Sequence, residues 1–500
     1  MQKQYEELCA VVRQDQYLES ALHLLEWDQQ TKLPPAGGSY RAEQITFLAG
    51  ELHQRKTSER RGELLNVLVD SDLAKDRNSD SGASIRVLKR EYDKKARLPQ
   101  QLVEQLARAA AVGQQVWIEA RKEDDFNKFA PNLEEIFRLK REEADAVGFA
   151  SEPYDALLDD YEPGAKTEEV AGVLDGLKND LVPLLQEIAG SSTQVNTDVL
   201  RREFPIDQQD KFCRLASEKI GFDYSRGRLD VTHHPFCTEL GPDDVRMTTR
   251  FDPNFFSSAF FGTLHEAGHG IYEQGLRADQ YGLPSGKYCS LGIHESQSRL
   301  WENLVGRSRS FWQHFFKPAQ EHFESLNDMA MDDFYRAINA VGPSLIRVEA
   351  DEATYNLHII IRFELERELL NGELKTDDLP AAWNSKYEQY LGIRPESDAN
   401  GVLQDIHWSA GLVGYFPTYS LGNLYASQFF DRIKAEHGDL DAMFTEGNFG
   451  PLKDWLNINV HQKGNCFASD ELGKLVSGEP LSHQPLMAHL RKKLEPIYQL

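Results

Sequence analysis

Apolar residues recur at steps of three and four along most of this chain, and this spacing limits the fold more than any other feature of the sequence. The segment from Gln100 to Asp125, QQLVEQLARAAAVGQQVWIEARKEDD, shows the pattern clearly. Such spacing puts apolar side chains on one face of an α-helix, whereas the period-two alternation typical of strands is scarce. Breaks such as Pro34-Pro35 and Pro163-Gly164 separate segments of helical length, and none resembles a linker between domains. The sequence predicts a mainly α protein in which residues 1–500 form one large helical domain.

Composition narrows the class of protein further. The chain has 80 acidic and 55 basic residues, which gives a formal net charge of −25 at pH 7. A surplus of this size repels phosphate backbones and anionic lipid headgroups, so we expect no nucleic-acid partner and no membrane partner. The five cysteines are scattered without metal-ligand or redox spacing, and no apolar run has the length of a signal peptide or a membrane span. These features predict a cytoplasmic protein.

One short segment departs from the helical pattern. Between Asp244 and Phe251, mostly apolar residues alternate with polar ones at period two, which predicts a strand and a small β-hairpin. Asp252-Pro253 follows directly and forms a good N-cap and first-turn pair for a helix. The apolar helical run behind this pair ends near Gly275. We therefore expect the strand, the cap and the helix in that order, with the hairpin close to the helix.

The predicted helix contains His265-Glu266-Ala267-Gly268-His269, which matches the zinc-binding pattern H-E-x-x-H. Residues four apart lie one turn apart on nearly the same side of a helix, so both imidazoles can bind one Zn²⁺. Glu266 projects about 100° away from His265, beside the metal's open position, where it can accept a proton from the attacking water. The small residues Ala267 and Gly268 allow another element to approach closely. This pattern predicts a metal centre with Glu266 as the general base.

A tetrahedral catalytic zinc site needs a third protein ligand. The metzincin pattern would supply a histidine at position 275, but this chain has Gly275 there. Glu273 lies too far along the helix from the first histidine to share an ion with it. Glu295 is the strongest candidate from the next predicted helix, Gly292 to about Gly306, although a solvated first-turn glutamate would give the same pattern. Glu302, two turns farther on, is a weaker candidate.

Several motifs accompany H-E-x-x-H in a fixed order between His234 and about Tyr419. They are H-P-F at 234–236, D-V-R-M-T at 244–248, H-E-A-G-H at 265–269, H-E-S-Q-S at 294–298 and Q-D-I-H-W at 404–408. With these motifs the chain resembles the carboxypeptidase Taq (M32) family of metallocarboxypeptidases. The first two hundred residues resemble the family more weakly, through L-E-W-D-Q-Q-T-K-L-P at 25–34.

The resemblance implies a large helical peptidase fold with a deep substrate cleft, similar to neurolysin and angiotensin-converting enzyme. Residues 1–200 would form a mostly helical wall of that cleft, and residues 230–420 would carry the catalytic motifs. The resemblance also implies Glu295 as the third metal ligand, one Zn²⁺ per subunit with Co²⁺ as an alternative, and a homodimer. The implied reaction releases single amino acids, with broad specificity, from peptides that have a free C-terminus.

The tetrahedral intermediate of this reaction needs a hydrogen-bond donor for its oxyanion in addition to the metal. By resemblance, His407 and Tyr419 look like the histidine and tyrosine that stabilise the intermediate in related helical peptidases. Tyr415 is the alternative to Tyr419, and ordinary packing would also explain any one of these tyrosines.

A carboxypeptidase must also bind the free carboxylate of its substrate, which favours an arginine in a partly desolvated pocket. The resemblance implies Arg347 for this role, and a surface ion pair of Arg347 with Glu349 or Glu352 is the structural alternative. Gln404 and His234 are placed near the substrate by resemblance alone, and a structural role suits His234 nearly as well.

Residues of the predicted strand have two expected roles. Arg246 and Thr248 are expected to line the substrate backbone, as edge strands do in other zinc peptidases. Asp244 is expected to orient a ligand histidine, because carboxylates commonly bind the second imidazole nitrogen, and Asp405 is a rival for that position.

Two other functions are compatible with the sequence. A helical zinc oligopeptidase or dipeptidase would use the same metal ligands and base, but it would not require a free C-terminal carboxylate. A helical binding or scaffold protein with a fortuitous H-E-x-x-H would show neither metal nor peptidase activity.

Overall fold

The computed structural model describes residues 1–500, and most of them are helical. The first helices are α1 (Gln2–Thr31), α2 (Gly38–Lys56), α3 (Glu59–Leu68), α4 (Asp80–Arg97), α5 (Gln100–Glu123), α6 (Phe126–Val147), α7 (Pro153–Leu158), α8 (Thr167–Gly190) and α9 (Ile206–Ile220). Three strands follow: β1 (Gly227–Val231), β2 (Cys237–Gly241) and β3 (Asp244–Thr249). The later helices are α10 (Phe256–Gly275), α11 (Leu291–Arg299), α12 (Arg309–His322), α13 (Met331–Ile338), α14 (Tyr355–Leu370), α15 (Leu379–Leu391), α16 (Pro417–His437), α17 (Leu440–Thr445), α18 (Gly450–Asn459), α19 (Ser469–Ser477) and α20 (Gln484–Tyr498). The predicted mainly α fold is confirmed. None of the helices combines the length and the apolar character that crossing a membrane requires.

The chain groups into two compact units, and each unit is built from three separate stretches of sequence. Unit 1 comprises Met1–Lys95, Asn196–Ile338 and Ala426–Pro480. Unit 2 comprises Ala96–Val195, Asn339–Tyr425 and Leu481–Leu500. The H-E-A-G-H and H-E-S-Q-S motifs therefore belong to unit 1 and the Q-D-I-H-W motif belongs to unit 2. A single domain over 1–500, with a wall at 1–200 and catalytic motifs at 230–420, stays a prediction.

A small mixed sheet lies in unit 1, with β3 in its centre. β2 and β3 pair in antiparallel fashion and form the predicted hairpin, in which Cys237 is opposite Met247. β1 adds a third, parallel strand on the other side of β3, with Leu229 opposite the same Met247. Val245 and Met247 are fully buried, and β3 packs against α10. The sheet therefore supports the helix that carries H-E-x-x-H.

The start of α10 differs from the prediction. Asp252 does not cap the helix, because its side-chain Oδ1 accepts a hydrogen bond from the backbone N–H of Asn254 at 2.8 Å. This bond makes a local turn, and the helix begins four residues later at Phe256. The predicted end at Gly275 is correct.

An aromatic cluster fixes the first half of α10 in unit 1. Phe212 of α9 stacks on Phe260 of α10 with ring centroids 5.1 Å apart. Phe256 lies against the same rings and against Phe323. Each aromatic pair of this kind adds about 0.5–1.5 kcal/mol to the free energy of unfolding beyond its buried area. The helix is thereby anchored at its N-terminal end, about one and a half to two and a half turns before His265.

The second half of α10 packs very closely against α11. A Cβ atom on Gly268 would lie 2.5 Å from the backbone oxygen of Gln297 and 2.6 Å from Cα of Ser298. Only glycine fits at this contact, because a methyl group would collide with backbone atoms that cannot move independently. The glycine of H-E-A-G-H therefore brings the helix that carries Glu295 up to the two histidines.

Helix α14 lies at the centre of unit 2. Nearly all of its residues are buried, including the consecutive Ile359, Ile360 and Ile361. Other elements must cover a helix that is buried on nearly all sides, and α6, α7, α8 and α15 pack around this one. A short 3-10 turn at Arg347–Glu349 precedes α14, and the Q-D-I-H-W motif lies in the long loop between α15 and α16. Unit 2 therefore presents its motif residues on loops that a buried helix supports.

Candidate functional site

Three donor atoms converge in unit 1. Nε2 of His269 is 3.4 Å from Oε2 of Glu295, and Nε2 of His265 is 3.6 Å from the same oxygen. The ligand atoms of all three residues lie within 4.8 Å of one another. Two imidazole nitrogens and one carboxylate oxygen are the donor set of a catalytic zinc site that keeps an open fourth position. These residues, called the metal centre below, therefore fit a divalent metal ion.

Hydrogen bonds to the other imidazole nitrogens orient the two ligand histidines. Nδ1 of His265 is 2.9 Å from Oε2 of Glu302. Nδ1 of His269 is 3.1 Å from the backbone oxygen of His294. Both partners accept hydrogen bonds, so each Nδ1 carries the proton and each Nε2 has a lone pair for a metal. Burial also lowers the pKa of His269 to about 3, which keeps that ring neutral.

The expectation that Asp244 or Asp405 would orient a ligand histidine is wrong. Asp244 forms two hydrogen bonds of 2.8 Å with the guanidinium of Arg246. Asp405 binds arginines of unit 2, described below. The carboxylate in this position is Glu302, which was expected from the sequence only as a weaker candidate for a metal ligand.

Glu302 lies in a π-helical segment, Leu300–Val305, that directly follows α11. The wider turn of a π-helix changes the direction of the side chains, and such segments frequently occur at functional sites. Spacing based on a regular α-helix therefore did not place Glu302 beside His265. The rule that ligand histidines bind a carboxylate through their second nitrogen was the available signal.

Arg299 links the two glutamates of this region. Its Nε donates to Oε1 of Glu295 at 2.7 Å, and its NH1 donates to Oε2 of Glu302 at 3.3 Å. Ser298 adds a hydrogen bond of 3.0 Å to Oε2 of Glu295. Burial opposes ionisation of Glu295, but Arg299 and the imidazoles outweigh it and hold the pKa well below its usual range. Glu295 is therefore ionised and held in place, as a metal ligand must be.

Glu266 is buried on α10, next in sequence to the ligand His265. Burial raises its pKa to about 7, and the nearby carboxylates of Glu295 and Glu302 act in the same direction. A carboxyl group with a pKa near neutrality can both accept and return a proton at physiological pH. This is the property that the predicted general base requires.

The side chains of Arg246 and Thr248, which were expected to line the substrate backbone, are instead bound within the protein. Thr248 is fully buried, and its hydroxyl exchanges hydrogen bonds with the backbone N–H and C=O of Phe236, at 2.8 and 3.0 Å. Arg246 is tied to Asp244 and lies 4.4 Å from the ring centroid of Trp27. The reason is topological: β3 is the central strand, so both of its edges are already paired.

His234 and Gln404 also have distinct environments. His234 is exposed. Gln404 is buried, and its Oε1 accepts a hydrogen bond from the backbone N–H of Arg347 at 2.9 Å. The Gln404 amide nitrogen donates to the backbone oxygen of Leu345 and to the hydroxyl of Tyr387, at 2.9 and 3.2 Å. Gln404 thus holds the backbone of the turn that carries Arg347.

Two buried arginines of unit 2 share one carboxylate. Arg347 donates from Nε and NH2 to Oδ1 of Asp405, at 3.1 and 2.8 Å, and from NH1 to the hydroxyl of Tyr355 at 3.0 Å. Arg362, which is fully buried, donates from Nε to Oδ2 of Asp405 at 2.6 Å. These arginines hold the pKa of Asp405 well below its usual range, although burial opposes this.

Arg347 therefore does not form the surface ion pair with Glu349 or Glu352 that was the structural alternative. Glu352 is bound instead by His489 and Lys493, at 2.9 and 2.6 Å. Arg347 itself is buried, and its carboxylate partner comes from the Q-D-I-H-W motif.

His407 and Tyr419 meet in the same unit. Nε2 of His407 is 3.3 Å from the hydroxyl of Tyr419. Tyr415, the alternative, packs its ring against His407 at 5.4 Å between centroids. Burial lowers the pKa of His407 to about 4, so the ring is neutral at pH 7. The residues Arg347, Arg362, Asp405, His407 and Tyr419 are called the Arg347 cluster below.

Comparison with known proteins decides the family. The family described as carboxypeptidase Taq (M32) metallopeptidase matches residues 7–494. The chain belongs to this family. It is 45% identical to thermostable carboxypeptidase 1 of Thermus thermophilus, with 99% of each chain covered. It is 38% identical to carboxypeptidase 1 of Bacillus subtilis, with 96% of each chain covered.

Solved structures of M32 carboxypeptidases have the same fold. The M32 carboxypeptidase of Deinococcus radiodurans R1 superimposes with a TM-score of 0.96 at 38% identity, with all of both chains covered. The carboxypeptidase of Pyrococcus furiosus gives a TM-score of 0.94 at 33% identity, with 98% of each chain covered. The M32 protein described here is therefore a metallocarboxypeptidase, a hydrolase that acts on peptides with a divalent metal. The predicted family, enzyme class and mainly α fold are confirmed, whereas the likeness to neurolysin and angiotensin-converting enzyme stays a prediction.

Proposed function

We propose that this M32 protein is a zinc-dependent carboxypeptidase that removes single amino acids from peptides with a free C-terminus, with broad specificity. The observation that carries this proposal is the convergence of His265, His269 and Glu295 beside the buried Glu266. Broad specificity and the choice of zinc over cobalt rest on the family resemblance.

His265, His269 and Glu295 would hold the ion, and Glu302 and the His294 carbonyl would keep the imidazoles in the ligand tautomer. A zinc ion bound there supplies Lewis-acid polarisation of the scissile carbonyl and lowers the pKa of water toward neutrality. Glu266 accepts the proton of the attacking water and returns it to the leaving amine, because its pKa near 7 permits both steps. Proton transfer and bond cleavage therefore depend on one side chain of α10.

Arg347 binds the substrate's terminal carboxylate in this proposal. A guanidinium has five N–H donors, and Arg347 directs its contacts with Asp405 and Tyr355 through three different nitrogens. One carboxylate also serves two buried guanidinium groups, Arg347 and Arg362. A second carboxylate, supplied by the substrate, would therefore find both free donors and favourable charge.

His407 and Tyr419 stabilise the oxyanion of the tetrahedral intermediate in this proposal. Tyr419 has a hydroxyl donor, and the neutral ring of His407 has one N–H. Their separation of 3.3 Å allows them to act as one pair. Tyr419 is favoured over Tyr415 because its hydroxyl, and not only its ring, reaches His407.

Peptide backbone is bound at β2 and not at β3 in this proposal. The sheet has two edge strands, β1 and β2, because β3 is paired on both sides, and β2 packs against α10, the helix that carries the two histidines. Part of that edge is already used, since Nδ1 of His23 is 3.3 Å from the backbone oxygen of Glu239. An extended peptide would add to β2 as a further strand, nearer to Cys237 than to Glu239.

The direct test is the time course of amino-acid release from one unmodified peptide. We expect single residues to appear in order from the C-terminus, and the same peptide with an amidated C-terminus to be cut far more slowly. Dipeptides or internal fragments, or equal rates on the amide, would instead identify an oligopeptidase. A purified protein that has no bound metal and no activity would instead be a binding protein.

The homodimer and the cytoplasmic location expected from the sequence stay predictions. Light scattering of the purified protein tests the dimer, which requires twice the chain mass of 56.9 kDa. Metal analysis of protein purified without added metal tests zinc against cobalt and the expected ratio of one ion per chain.

A further inference from the structure

Unit 2 contains a fully buried carboxylate that the proposed mechanism does not use. Glu366 of α14 accepts three hydrogen bonds. Trp408 Nε1 donates to Oε1 at 2.8 Å, while the backbone N–H of Gly414 donates to Oε2 at 3.1 Å. The hydroxyl of Tyr154 also donates to Oε2, at 2.6 Å. Two of the three donors belong to one loop, and they bind opposite oxygens of the carboxylate.

That loop, Trp408–Gly414, separates the two candidate oxyanion donors in the sequence. His407 is the residue before it, and Tyr419 lies in the first turn of α16 just beyond it. The backbone N–H of Leu412 donates to the backbone oxygen of His407 at 2.9 Å, so the chain reverses direction here. Gly414 has a φ of +91° and would place a Cβ 2.8 Å from the backbone of Leu157, so only glycine is accommodated.

We propose that Glu366 is a positioning residue for the oxyanion donors. By holding Trp408 and Gly414 on its two oxygens, it fixes both ends of the loop and keeps the His407 ring beside the Tyr419 hydroxyl. This inference rests on the proposed function, because it gives Glu366 a role only through His407 and Tyr419.

The arrangement requires the two oxygens of a carboxyl group and not merely a polar group of the same shape. Glu366 offers two acceptor oxygens, and each holds one end of the loop. Glutamine is nearly isosteric but has one acceptor oxygen and one amide nitrogen. In either orientation of the amide, Trp408 or Gly414 would face a second donor and lose its partner. The substitution Glu366→Gln therefore releases one end of the loop without creating a cavity.

A purely structural role for Glu366 makes a different prediction. Loss of a buried hydrogen bond reduces stability wherever it occurs, but it changes turnover only if catalytic groups move. Tyr154→Phe is the matched control, because it removes the one hydrogen bond to Glu366 that does not come from the loop. The control should lower the unfolding temperature without affecting turnover.

The experiment measures kcat, KM and the unfolding temperature of the metal-loaded enzyme on a peptide with a free C-terminus. We expect Glu366→Gln to lower kcat roughly ten- to hundredfold, the scale of a small misplacement of catalytic groups, with KM nearly unchanged. Tyr154→Phe should keep kcat within about twofold. Normal kcat in Glu366→Gln, or an equal loss in both variants, overturns the proposal.

A double-mutant cycle shows whether Glu366 acts through Tyr419. We expect the kcat losses of Glu366→Gln and Tyr419→Phe to combine less than multiplicatively, since both affect the same donor. Multiplicative losses overturn the proposal. Normal kcat in Tyr419→Phe alone overturns the oxyanion role of that residue, and with it this inference. A loss in Tyr419→Phe with normal kcat in Glu366→Gln overturns only the positioning role.

Trp408→Phe provides a second route if Glu366→Gln does not fold. It removes the indole N–H that binds Oε1 and keeps an aromatic ring among Phe137, Trp383 and Phe416. We expect the same pattern, with a lower kcat and a nearly unchanged KM, and an unchanged kcat overturns the proposal.

Discussion

The metal centre of unit 1 and the Arg347 cluster of unit 2 are assembled in different ways. The metal centre takes its ligands from two consecutive helices, α10 and α11, and the backbones of these helices touch at Gly268. The Arg347 cluster takes its residues from a 3-10 turn, from the buried helix α14, from the loop that leads into α16 and from the first turn of α16. Regular helix geometry thus fixes the first site, whereas side-chain hydrogen bonds between loops fix the second. Substitutions should therefore act locally in the metal centre and through loop position in the cluster.

The two regions also have opposite charge. Three glutamates, Glu266, Glu295 and Glu302, lie around the two histidines of the metal centre, and Arg299 binds both Glu295 and Glu302. In the cluster, Arg347 and Arg362 share the single carboxylate of Asp405. A surplus of carboxylates suits a cation, and a surplus of guanidinium groups suits an anion. Replacement of an acidic residue should therefore affect metal binding or proton transfer in unit 1. Replacement of an arginine should affect recognition of the terminal carboxylate in unit 2.

The largest effect is expected for Glu266→Gln in the metal centre. Glutamine preserves shape but cannot accept the proton of the attacking water, so we expect kcat to fall by about a thousandfold. The metal content should not change, because Glu266 is not a ligand. Kinetics together with metal analysis test this, with the exposed Glu218→Gln as a control. Activity near that of the natural protein would remove Glu266 from the mechanism.

In the cluster, Arg347→Lys should lower kcat/KM on peptides with a free C-terminus by about a hundredfold. Lysine keeps the charge but lacks the planar fork that binds a carboxylate through two donors. Asp405 should stay ionised, because Arg362 still binds it. The rate on an amidated peptide should change little, so the preference for the free acid should disappear.

A matched control for this substitution exists in the same unit. Arg367 also forms two hydrogen bonds with a carboxylate, that of Glu152 at 2.8 and 3.1 Å. Arg367→Lys should leave the preference for the free acid intact. An Arg347→Lys enzyme that still prefers the free acid would show that the carboxylate is bound elsewhere.

The stability of the protein should depend on pH through Glu366, which supports the loop of the cluster. Burial raises its pKa from the ordinary 4.5 to about 7. Between these values the unfolded chain has released the proton while the folded chain retains it, so stability falls as pH rises through this window and then levels off. The shift corresponds to about 3 kcal/mol at most. Glutamine does not titrate, so Glu366→Gln should lose less stability than the natural protein over the same range.

Unfolding temperatures of both proteins at several pH values between about 4.5 and 7.5 measure this difference. The natural protein should show a steeper decline than Glu366→Gln, and Tyr154→Phe should decline at least as steeply, because it retains the carboxyl group and loses a hydrogen bond that lowers its pKa. Parallel curves for the natural protein and Glu366→Gln would mean that Glu366 ionises normally in the folded state.

The contrast between the regions also explains what the sequence could predict. The i, i+4 spacing of His265 and His269 predicts that both side chains project from one face of the helix. The glycine between them predicted close approach by another element, which the structure shows to be α11. The pairing of Arg347 with Asp405 joins residues 58 positions apart in two loops, and no periodicity records such a contact. The family resemblance implied a substrate role for Arg347, whereas the general chemistry of ligand histidines made Asp405 a rival of Asp244 for orienting an imidazole.

Local hydrogen bonding explains the remaining differences. Asp252 has the chemistry of an N-cap, but its side chain closes a turn to Asn254 instead and the helix starts later. The alternation at 244–251 predicted β3. The central position of that strand depends on its pairing with β1, a third strand that the sequence pattern did not predict. Thr248 therefore bonds within the sheet and not to a substrate.

The smallest effect is expected for Glu302→Gln, which separates orientation from charge in the metal centre. The amide oxygen of glutamine can still accept the hydrogen bond from Nδ1–H of His265, so the ligand tautomer is kept. The negative charge that increases the basicity of the imidazole is lost, and so is the ionic contact with Arg299. We expect metal affinity to fall by about tenfold, the lower end of the range for such partners. Competition with a chelator of known affinity measures it, and Glu302→Ala, which loses both the charge and the hydrogen bond, should lose more. Equal losses in the two variants would mean that charge alone matters, whereas no loss in either would mean that close packing at Gly268 holds His265 in place without Glu302.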